Sequence, residues 1–305
     1  LASGARPWIA LATAPWHVLA VRLADRVGKG LRSAPRDALL AAVALPEDRG
    51  RAFGFHRAMD HSGAMLGPLL AAGVLALTGD LRLTFALAAV PGILAVLALV
   101  VGVREPPPAA AQTDTRAAVP PPLGRPIRAY LAVLAVFTLG NSTDAFLLLR
   151  AQEAGLSLAA LPLLWAWHHA VKAAASTHGG ALSDRIGRRR TILLGWLVYA
   201  LTYAGFGAAR APWQIWALFG VYGFYYALTE GAEKALLADL APVAARGTAF
   251  GAYHALTGAA LLPASLLTGW LWQSFGAAAA LGLGAALAAL AAAGLWLLVP
   301  EQRSA

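Results

Sequence analysis

Long apolar runs recur along the whole of this 305-residue chain, and they constrain its fold more than any other feature. A run of about 20 apolar residues can cross a hydrocarbon core about 30 Å thick as a helix. A bilayer core offers no water to the backbone, so chains with many such runs fold as helical bundles. Apolar length, read against Gly, Pro and charge, predicts about nine spans. They lie near 16–45, 52–78, 83–103, 129–150, 157–178, 190–209, 213–241, 248–273 and 276–299.

Composition excludes most other classes of protein. The chain is 59% hydrophobic and 13% charged, whereas roughly a quarter of the residues in a soluble domain are charged. The net charge of +9 does not indicate nucleic-acid binding, because the basic residues lie in short loops or inside one apolar run and form no soluble basic face. The chain has no cysteine, which excludes disulfides, iron–sulfur clusters, thiolate metal sites and cysteine nucleophiles.

Prolines divide the chain into two groups of spans. Residues 104–128 contain REPPPAAAQTDTRAAVPPPLGRP, a composition that disfavours helix and favours extended polyproline geometry. We interpret this segment as a linker between residues 1–103, with three spans, and residues 129–305, with six. The segment 38–59 also aligns with 235–256 at an offset of about 197, which indicates an internal repeat.

If the two halves are equal, about three spans precede those seen here. The sequence begins at Leu1 without a signal-peptide pattern, and residues 1–14 are typical of the tail of an earlier helix followed by a turn. We therefore expect the N-terminal half to be truncated.

Lysine and arginine in short loops predict the orientation, because cytoplasmic loops carry the excess of positive charge. One alternating set of loops holds little more than Arg82, Arg150 and Arg210. The other set, which we therefore predict to be cytoplasmic, holds Arg49, Arg51, Arg104, Arg116, Arg125, Arg128, Arg185, Arg188, Arg189, Arg190, Arg246 and Arg303.

The first span carries a stripe of charge. At about 100° per residue, its charged residues fall within an arc of roughly 140°. They are Arg22, Asp25, Arg26, Lys29, Arg32, Arg36 and Asp37. Each charge at the bilayer centre would cost about 2.5–3.5 kcal/mol, so we predict that the stripe faces a water-filled cavity or partners within the bundle. The alternative is an amphipathic helix on the cytoplasmic surface. Two acidic residues within the stripe, and the repeat alignment, favour a span.

A second group of charges lies in the span 213–241. Tyr226, Glu230, Glu233 and Lys234 share one helical face. Under the repeat alignment, Arg36 and Asp37 correspond to Glu233 and Lys234, so the same positions carry opposite charges in the two halves. We predict that these residues pair as a cytoplasmic gate that opens on substrate or proton binding.

Other polar residues within the spans are candidate functional groups by default. They are Asn141, Asp144, Arg150, His168, His169 and Lys172, with Arg57, Asp60, His61 and His254 elsewhere. Asp144 is our candidate proton carrier, because a partly desolvated carboxylate binds a proton more readily than one in water. The alternative for Asp144 is a permanent ion pair with an arginine. His168 and His169 point about 100° apart on a helix, which argues against a shared metal ion.

The segment GGALSDRIGRRR, residues 179–190, joins two spans and combines glycines, an acid and a basic cluster. It resembles the signature loop of the major facilitator superfamily, which reads G, three residues, D, R or K, any residue, G and two basic residues. Every position matches, through Gly180, Asp184, Arg185, Gly187, Arg188 and Arg189. Two further features resemble the family: an arginine in the fourth helix, Arg22, and a glycine–proline pattern in the fifth, Gly63, Gly67 and Pro68.

The resemblance implies an all-α integral membrane fold of two pseudo-symmetric six-helix bundles. Residues 1–103 would be helices 4–6 of the first bundle, with the first three helices missing, and residues 129–305 would be helices 7–12. It also implies a central site lined by the spans 16–45, 129–150 and 213–241, with alternating access and often proton coupling. The sequence departs from many relatives in having DRVGKGLRSAPRDAL where they carry small apolar residues.

We therefore predict a monomeric, multi-pass transporter of the bacterial inner membrane, with linker and C-terminus cytoplasmic. It would move a small charged solute, with Asp144 or Glu230 carrying a proton, and would need no cofactor. Five basic and two acidic stripe residues favour an anionic solute, although Glu230 and Glu233 argue against this. The alternative transport function is efflux of lipophilic cations.

Two other classes are less favoured. A membrane-embedded enzyme would need clustered aspartates or a nucleophile with its base, and the sequence shows neither. A signalling protein of transporter descent would not need the dense charge of the stripe. The GKG at residues 28–30 lacks the spacing of a phosphate-binding loop, so ATP-driven transport has no support.

Overall fold

A computed structural model describes residues 6–102 and 122–301. Within those ranges the regular elements are helices, with no strand. We number the α-helices α1 Pro15–Val43, α2 Arg49–Thr78, α3 Leu81–Leu87, α4 Ala89–Gly102, α5 Arg125–Gly140, α6 Ala145–Glu153, α7 Leu161–Ile186, α8 Arg188–Ala208, α9 Pro212–Leu240 and α10 Arg246–Leu298. The predicted all-α membrane fold is confirmed.

Helix length and composition agree with a membrane location. Five segments are long and apolar enough to cross a bilayer, namely Pro46–Thr78, Leu81–Gly102, Arg125–Glu153, Arg188–Ala208 and Val243–Leu298. Helices α1, α7 and α9 are also 26–29 residues long, and charged residues lie along them. At 1.5 Å per residue, each of these three is longer than the hydrocarbon core is thick.

The last helix contains two of the predicted spans. Its 53 residues would extend about 80 Å if straight, far more than one membrane crossing requires. The helix is interrupted at Gly276, where φ is 85° and ψ is 171°. Only glycine adopts this backbone conformation readily. The interruption therefore falls at the first residue of the predicted span 276–299, and the helix is otherwise continuous from Arg246 to Leu298.

The predicted span 129–150 is not one continuous helix. Helix α5 ends at Gly140, and α6 begins at Ala145. Gly140 lies so close to α10 that an added Cβ would come within 2.9 Å of the Gly284 carbonyl oxygen. The Tyr199 hydroxyl donates a hydrogen bond to the freed carbonyl of Gly140, at 2.9 Å. Asn141 and Asp144 therefore lie in the non-helical segment between α5 and α6, within the bundle.

The signature segment 179–190 was predicted to be a loop, and this was wrong. Helix α7 continues through Ile186 and α8 begins at Arg188. Gly187 alone reverses the chain, with φ of 98°. A glycine at this position makes a longer loop unnecessary, since no Cβ opposes the positive φ.

The chain divides into two compact units. One contains residues 1–35 and 69–121. In it, Asp80 caps α3 by accepting hydrogen bonds from the backbone N–H groups of Arg82 and Leu83, at 2.8 and 3.1 Å. The other contains residues 36–68 and 122–305. Its core includes a group of fully buried aromatic residues that comprises Tyr130, Trp196, Tyr199, Tyr203, Phe206, Phe219 and Tyr222. The ionic and polar contacts of Asp37, Asp144, Glu230 and the signature segment lie in this second unit.

Candidate functional site

Asp37 is the centre of a buried charge cluster at the C-terminal half of α1. Its side chain is fully buried. It forms ion pairs with Lys234 Nζ at 2.7 Å and with Arg36 Nη2 at 2.9 Å. The His254 Nε2 atom lies 2.9 Å from the same carboxylate. Lys234 is also buried, with 1% of its side chain exposed. The predicted contact between the aligned charges of the two repeats is therefore present for Asp37 and Lys234.

Glu233 does not complete a second pair with Arg36 among the described residues. Its carboxylate accepts hydrogen bonds from Trp196 Nε1 and from the Tyr253 hydroxyl, each at 3.0 Å. Neutral donors satisfy a buried carboxylate without supplying a compensating charge. The swapped charges therefore form one ion pair and one hydrogen-bonded acid, and their action as a gate stays a prediction.

Glu230 lies one turn before Glu233 on α9, and its carboxylate contacts side chains of α2. The His61 Nε2 atom lies 2.7 Å from its carboxylate, and Arg57 Nε lies 3.9 Å away. Arg57 also pairs with Asp60 of its own helix, at 3.0 Å. A candidate acid on α9 is thus joined to a histidine and an arginine that the sequence had singled out only as polar residues within a span.

Asp144 lies at the break between α5 and α6 and is held by hydroxyl groups. Tyr222 donates to its carboxylate at 2.8 Å, and Tyr226 lies 3.3 Å from one carboxylate oxygen and 3.4 Å from the other. Within the described ranges, no cation lies within 4.0 Å of it, so the alternative of an arginine ion pair is not observed. Asn141 donates to the Tyr225 hydroxyl at 3.4 Å.

Arg150, another polar residue within a predicted span, binds backbone carbonyl groups at the end of α8. It donates to the carbonyl oxygens of Phe206, at 3.0 Å, and Ala209, at the C-terminal end of α8. It also pairs with Glu153 at 3.0 Å. A guanidinium placed here satisfies carbonyls that have no partner within the helix and complements the negative end of its dipole.

Lys172 and two histidines of α7 complete the central group. Lys172 Nζ lies 3.3 Å from the centre of the Tyr226 ring, and 4% of the residue is exposed. His168 Nδ1 donates to the Phe219 carbonyl at 3.0 Å, and its ring stacks on Tyr222. His61 and His169 have ring centres 5.4 Å apart. The described residues contain no group of three side chains that could hold a metal ion.

The signature segment forms an ionic lock with the start of α2, which we define as Arg49, Asp184, Arg188 and Asp239. Asp184 accepts hydrogen bonds from the backbone N–H groups of Gly50, at 2.9 Å, and Arg51, at 2.8 Å. These are orphan donors at a helix N-terminus, where a carboxylate is electrostatically favoured. Asp184 also pairs with Arg188.

Within the ionic lock, Asp239 bridges Arg49 and Arg188. Arg49 lies 2.6 Å from one of its oxygens and Arg188 lies 3.2 Å from the other. Arg188 also donates to the Pro46 carbonyl, at 2.9 Å. The lock therefore connects the α1–α2 turn with α7, α8 and α9.

The other signature residues are divided between two places. Arg189 donates to the Val299 carbonyl at 2.9 Å, and its guanidinium lies 4.6 Å from the centre of the Trp296 ring. Arg185 is exposed. Gly180 lies against Gly50, so closely that a side chain on either would collide with backbone atoms of the other helix.

The remaining stripe residues lie on α1 in the first unit. Lys29 pairs with Asp25 at 2.9 Å. Three others, Arg22, Arg26 and Arg32, are exposed. Their role in a cavity stays a prediction.

Comparison with known proteins places this arrangement in a family. The profile of the Major Facilitator Superfamily matches residues 1–168 and 129–305. The chain is 34% identical over 256 residues to an uncharacterised MFS-type transporter of Methanocaldococcus jannaschii, covering 82% of this chain and 64% of the relative. It is 30% identical over 276 residues to an uncharacterised protein of Mycobacterium tuberculosis, covering 88% and 67%.

One shorter match carries a functional name. The multidrug resistance protein MdtH of Cronobacter sakazakii is 31% identical over 121 residues, which is 39% of this chain and 30% of that protein. The chain thus spans at most about two thirds of the length of each of these relatives.

Solved structures show the same fold. The proton:xylose symporter XylE superposes with a TM-score of 0.76 at 18% identity, covering 98% of this chain and 78% of that structure. The human organic anion transporter MFSD10 superposes with a TM-score of 0.75 at 18% identity, covering 96% and 74%. Together with the family profile, which matches from residue 1 to residue 305, these findings show that the chain belongs to the Major Facilitator Superfamily.

Proposed function

We propose that this chain forms part of a proton-coupled secondary transporter that moves a small charged solute across the bacterial inner membrane by alternating access. The linker and the C-terminus would be cytoplasmic, and the protein would act as a monomer. The observation that carries the proposal is the set of ionic contacts between the segment 36–68 and the helices that follow the linker, namely the Asp37–Lys234 pair and the ionic lock.

Ionic contacts of this kind suit a switch between two states. Breaking a buried ion pair is costly while the freed charges stay buried, so these contacts would break only when the helices separate and admit water. Alternating access in transporters of repeated design is largely a rocking of one bundle against the other. The lock and the Asp37–Lys234 pair would hold one of the two states.

Two neighbouring residues of α7 give a test of this motion. Ser176 is 1% exposed, and its carbonyl lies where a side chain on Gly54 of α2 would collide. Thr177 instead lines an open surface cleft with Asp48 and Arg51. Because the chain has no cysteine, Ser176→Cys and Thr177→Cys would each be its only thiol.

We expect a water-soluble maleimide to label Ser176→Cys slowly and Thr177→Cys rapidly. Adding Asp239→Asn removes the partner of Arg49 and Arg188, and should speed labelling of Ser176→Cys by at least about tenfold, since a hydrogen bond to a charged group contributes about 1.5–3 kcal/mol. Labelling of Thr177→Cys should not change, which controls for unfolding. Equally slow labelling of Ser176→Cys with and without Asp239→Asn would contradict the proposal.

Asp144 is the proposed proton carrier. Hydroxyl groups can donate to a carboxylate and also accept from a carboxylic acid, so its partners Tyr222 and Tyr226 suit both protonation states. The charges of Lys172 and Glu230 act on it electrostatically. The reactive thiolate fraction itself rises with pH, so the rate for Ser176→Cys is divided by that for Thr177→Cys at the same pH. We expect this ratio to change between about pH 5 and 8 and the change to disappear with Asp144→Asn.

Glu230→Gln is the matched control for proton coupling, because Glu230 is the other candidate acid and is already bound to His61. It should retain the pH-dependent labelling. Loss of the dependence with Glu230→Gln, and not with Asp144→Asn, would move the proton-carrying role to Glu230.

Efflux of lipophilic cations is the second candidate function. The match to MdtH favours it, although that match covers 39% of the chain. Such a solute would bind acidic rather than basic groups, so stabilisation of the purified protein by benzylamine and not by benzoate would favour this function.

A further inference from the structure

Lys172 is a buried side chain that makes no ion pair among the described residues, although Glu230 and Asp144 act on it electrostatically. It lies in the middle of α7, is 4% exposed, and contacts the face of the Tyr226 ring at 3.3 Å from Nζ to the ring centre. No carboxylate of the described residues comes within 4.0 Å of it. Burial of a charge is costly unless the charge is paired, and a contact with an aromatic ring recovers only part of that cost. A lysine in this setting has an unused capacity to bind an anion.

Glu230 and Asp144 act on Lys172 only from a distance, because each is bound elsewhere. Asp144 accepts hydrogen bonds from Tyr222 and Tyr226. Glu230 is held by His61 at 2.7 Å and lies 3.9 Å from Arg57. A rotation of either carboxylate toward Lys172 would break these contacts.

The surroundings of Lys172 offer further polar and aromatic groups. His169, one turn before Lys172, has an Nδ1 atom that is buried without a hydrogen-bond partner. Its ring lies 5.1 Å from that of Trp165 and 5.4 Å from that of His61, centre to centre. His61 in turn lies 6.5 Å from Tyr226. Ring contacts thus link the His169 ring to Trp165 and His61, and His61 to the Tyr226 ring that Lys172 touches.

We propose that Lys172 is the anion-binding residue of the solute site, and that it binds the carboxylate of an aromatic organic acid whose ring packs beside Trp165 and Tyr226. This inference rests on the proposed transport function and names its substrate class. A carboxylate would give Lys172 its missing charge-assisted hydrogen bond. It would also compensate a charge that is expensive within a membrane.

Three probes of the same shape and different charge test the proposal. Benzoate is an anion, benzamide is its neutral analogue and benzylamine is a cation. Thermal stabilisation of the purified protein measures binding, because a ligand that binds only the native state must raise its stability. We expect benzoate to stabilise the protein and the other two to have no effect.

Lysine variants then locate the binding site. Lys172→Gln should weaken benzoate binding at least about tenfold, since a hydrogen bond to a charged group contributes about 1.5–3 kcal/mol, whereas Lys172→Arg should retain part of it. The matched control is Arg210→Gln, which removes a basic side chain from the exposed connection between α8 and α9. It should bind benzoate as the unchanged protein does.

Three outcomes would overturn the proposal. They are stabilisation by benzylamine and not by benzoate, benzoate binding that survives Lys172→Gln, and the absence of stabilisation by benzoate at any millimolar concentration. The labelling of Ser176→Cys distinguishes these failures from a failure of the transport function. If labelling still responds to Asp239→Asn and to pH, alternating access stands and only the anion site is wrong.

Discussion

Asp37 and Lys234 differ in the number of partners each keeps when the other is removed. Asp37 also contacts Arg36 and His254, whereas Lys234 has Asp37 as its single acidic partner among the described residues. An uncompensated buried charge costs about 3–5 kcal/mol. The two halves of one ion pair are therefore not energetically equivalent.

We predict that Asp37→Asn destabilises the protein by about 3–5 kcal/mol, because it leaves Lys234 buried and unpaired. Lys234→Met should cost less, about 1–3 kcal/mol, because Asp37 keeps two partners. Denaturant unfolding in detergent measures both. The double variant should recover part of the loss caused by Asp37→Asn, and equal effects of the two single variants would contradict the argument.

A contact between charged residues could be predicted from the sequence where the internal repeat aligned their positions. Asp37 and Lys234 occupy aligned positions with opposite charges, and the structure places them 2.7 Å apart. The contact of Lys172 with Tyr226 was not predictable, because it joins two helices at positions with no counterpart in the alignment. Nor could spacing show that Trp196 and Tyr253, rather than Arg36, would satisfy Glu233.

Helix α2 approaches its neighbours through glycines. Gly50 and Gly54 are four residues apart, a spacing that lets helix backbones meet closely in membranes. A Cβ on Gly54 would lie 3.2 Å from Gly180 Cα and closer still to the Ser176 carbonyl oxygen. Gly231 of α9 faces the same two glycines, and its own added Cβ would lie 3.0 Å from Gly54 N. The contact of α2 with α7 and α9 has no space for a methyl group.

We predict that Gly54→Ala lowers stability by about 1–3 kcal/mol, the usual cost of overpacking. Gly63→Ala is the matched control on the same helix, since its Cβ would meet nothing within 4 Å. It should be neutral or stabilise by up to about 1 kcal/mol through helix propensity. Thermal unfolding of the two variants in detergent measures the difference, and similar shifts for both would contradict close packing at Gly54.

Apolar length was a good guide to the helices and a poor guide to their interruptions. The predicted span 52–78 corresponds to Arg49–Thr78, and 213–241 corresponds to Pro212–Leu240. The break at residues 141–144 was missed, because Asn141 and Asp144 differ little from polar residues tolerated inside a helix. The helical signature segment was missed because three glycines and five charges resemble a loop unless Gly187 is known to make the turn alone.

At the scale of the whole molecule, the arginine distribution predicts which side each connection faces. Alkaline phosphatase fused after Glu301 should be inactive in a bacterium, whereas green fluorescent protein fused there should fluoresce. The matched control is a phosphatase fusion after Arg210, in a connection that we predict to be on the opposite side, where the enzyme should be active. Phosphatase activity at both positions would contradict the orientation.

The single residue at Gly276 has a consequence for biosynthesis. Two spans joined by so short a turn leave almost no polar chain to be carried across the membrane on its own. A lone span exposes its unpaired face until a partner arrives, but here the partner is already attached and emerges from the ribosome within seconds. The two helical parts of Arg246–Leu298 should therefore enter the bilayer together, so that insertion is decided by their summed hydrophobicity rather than by that of either part.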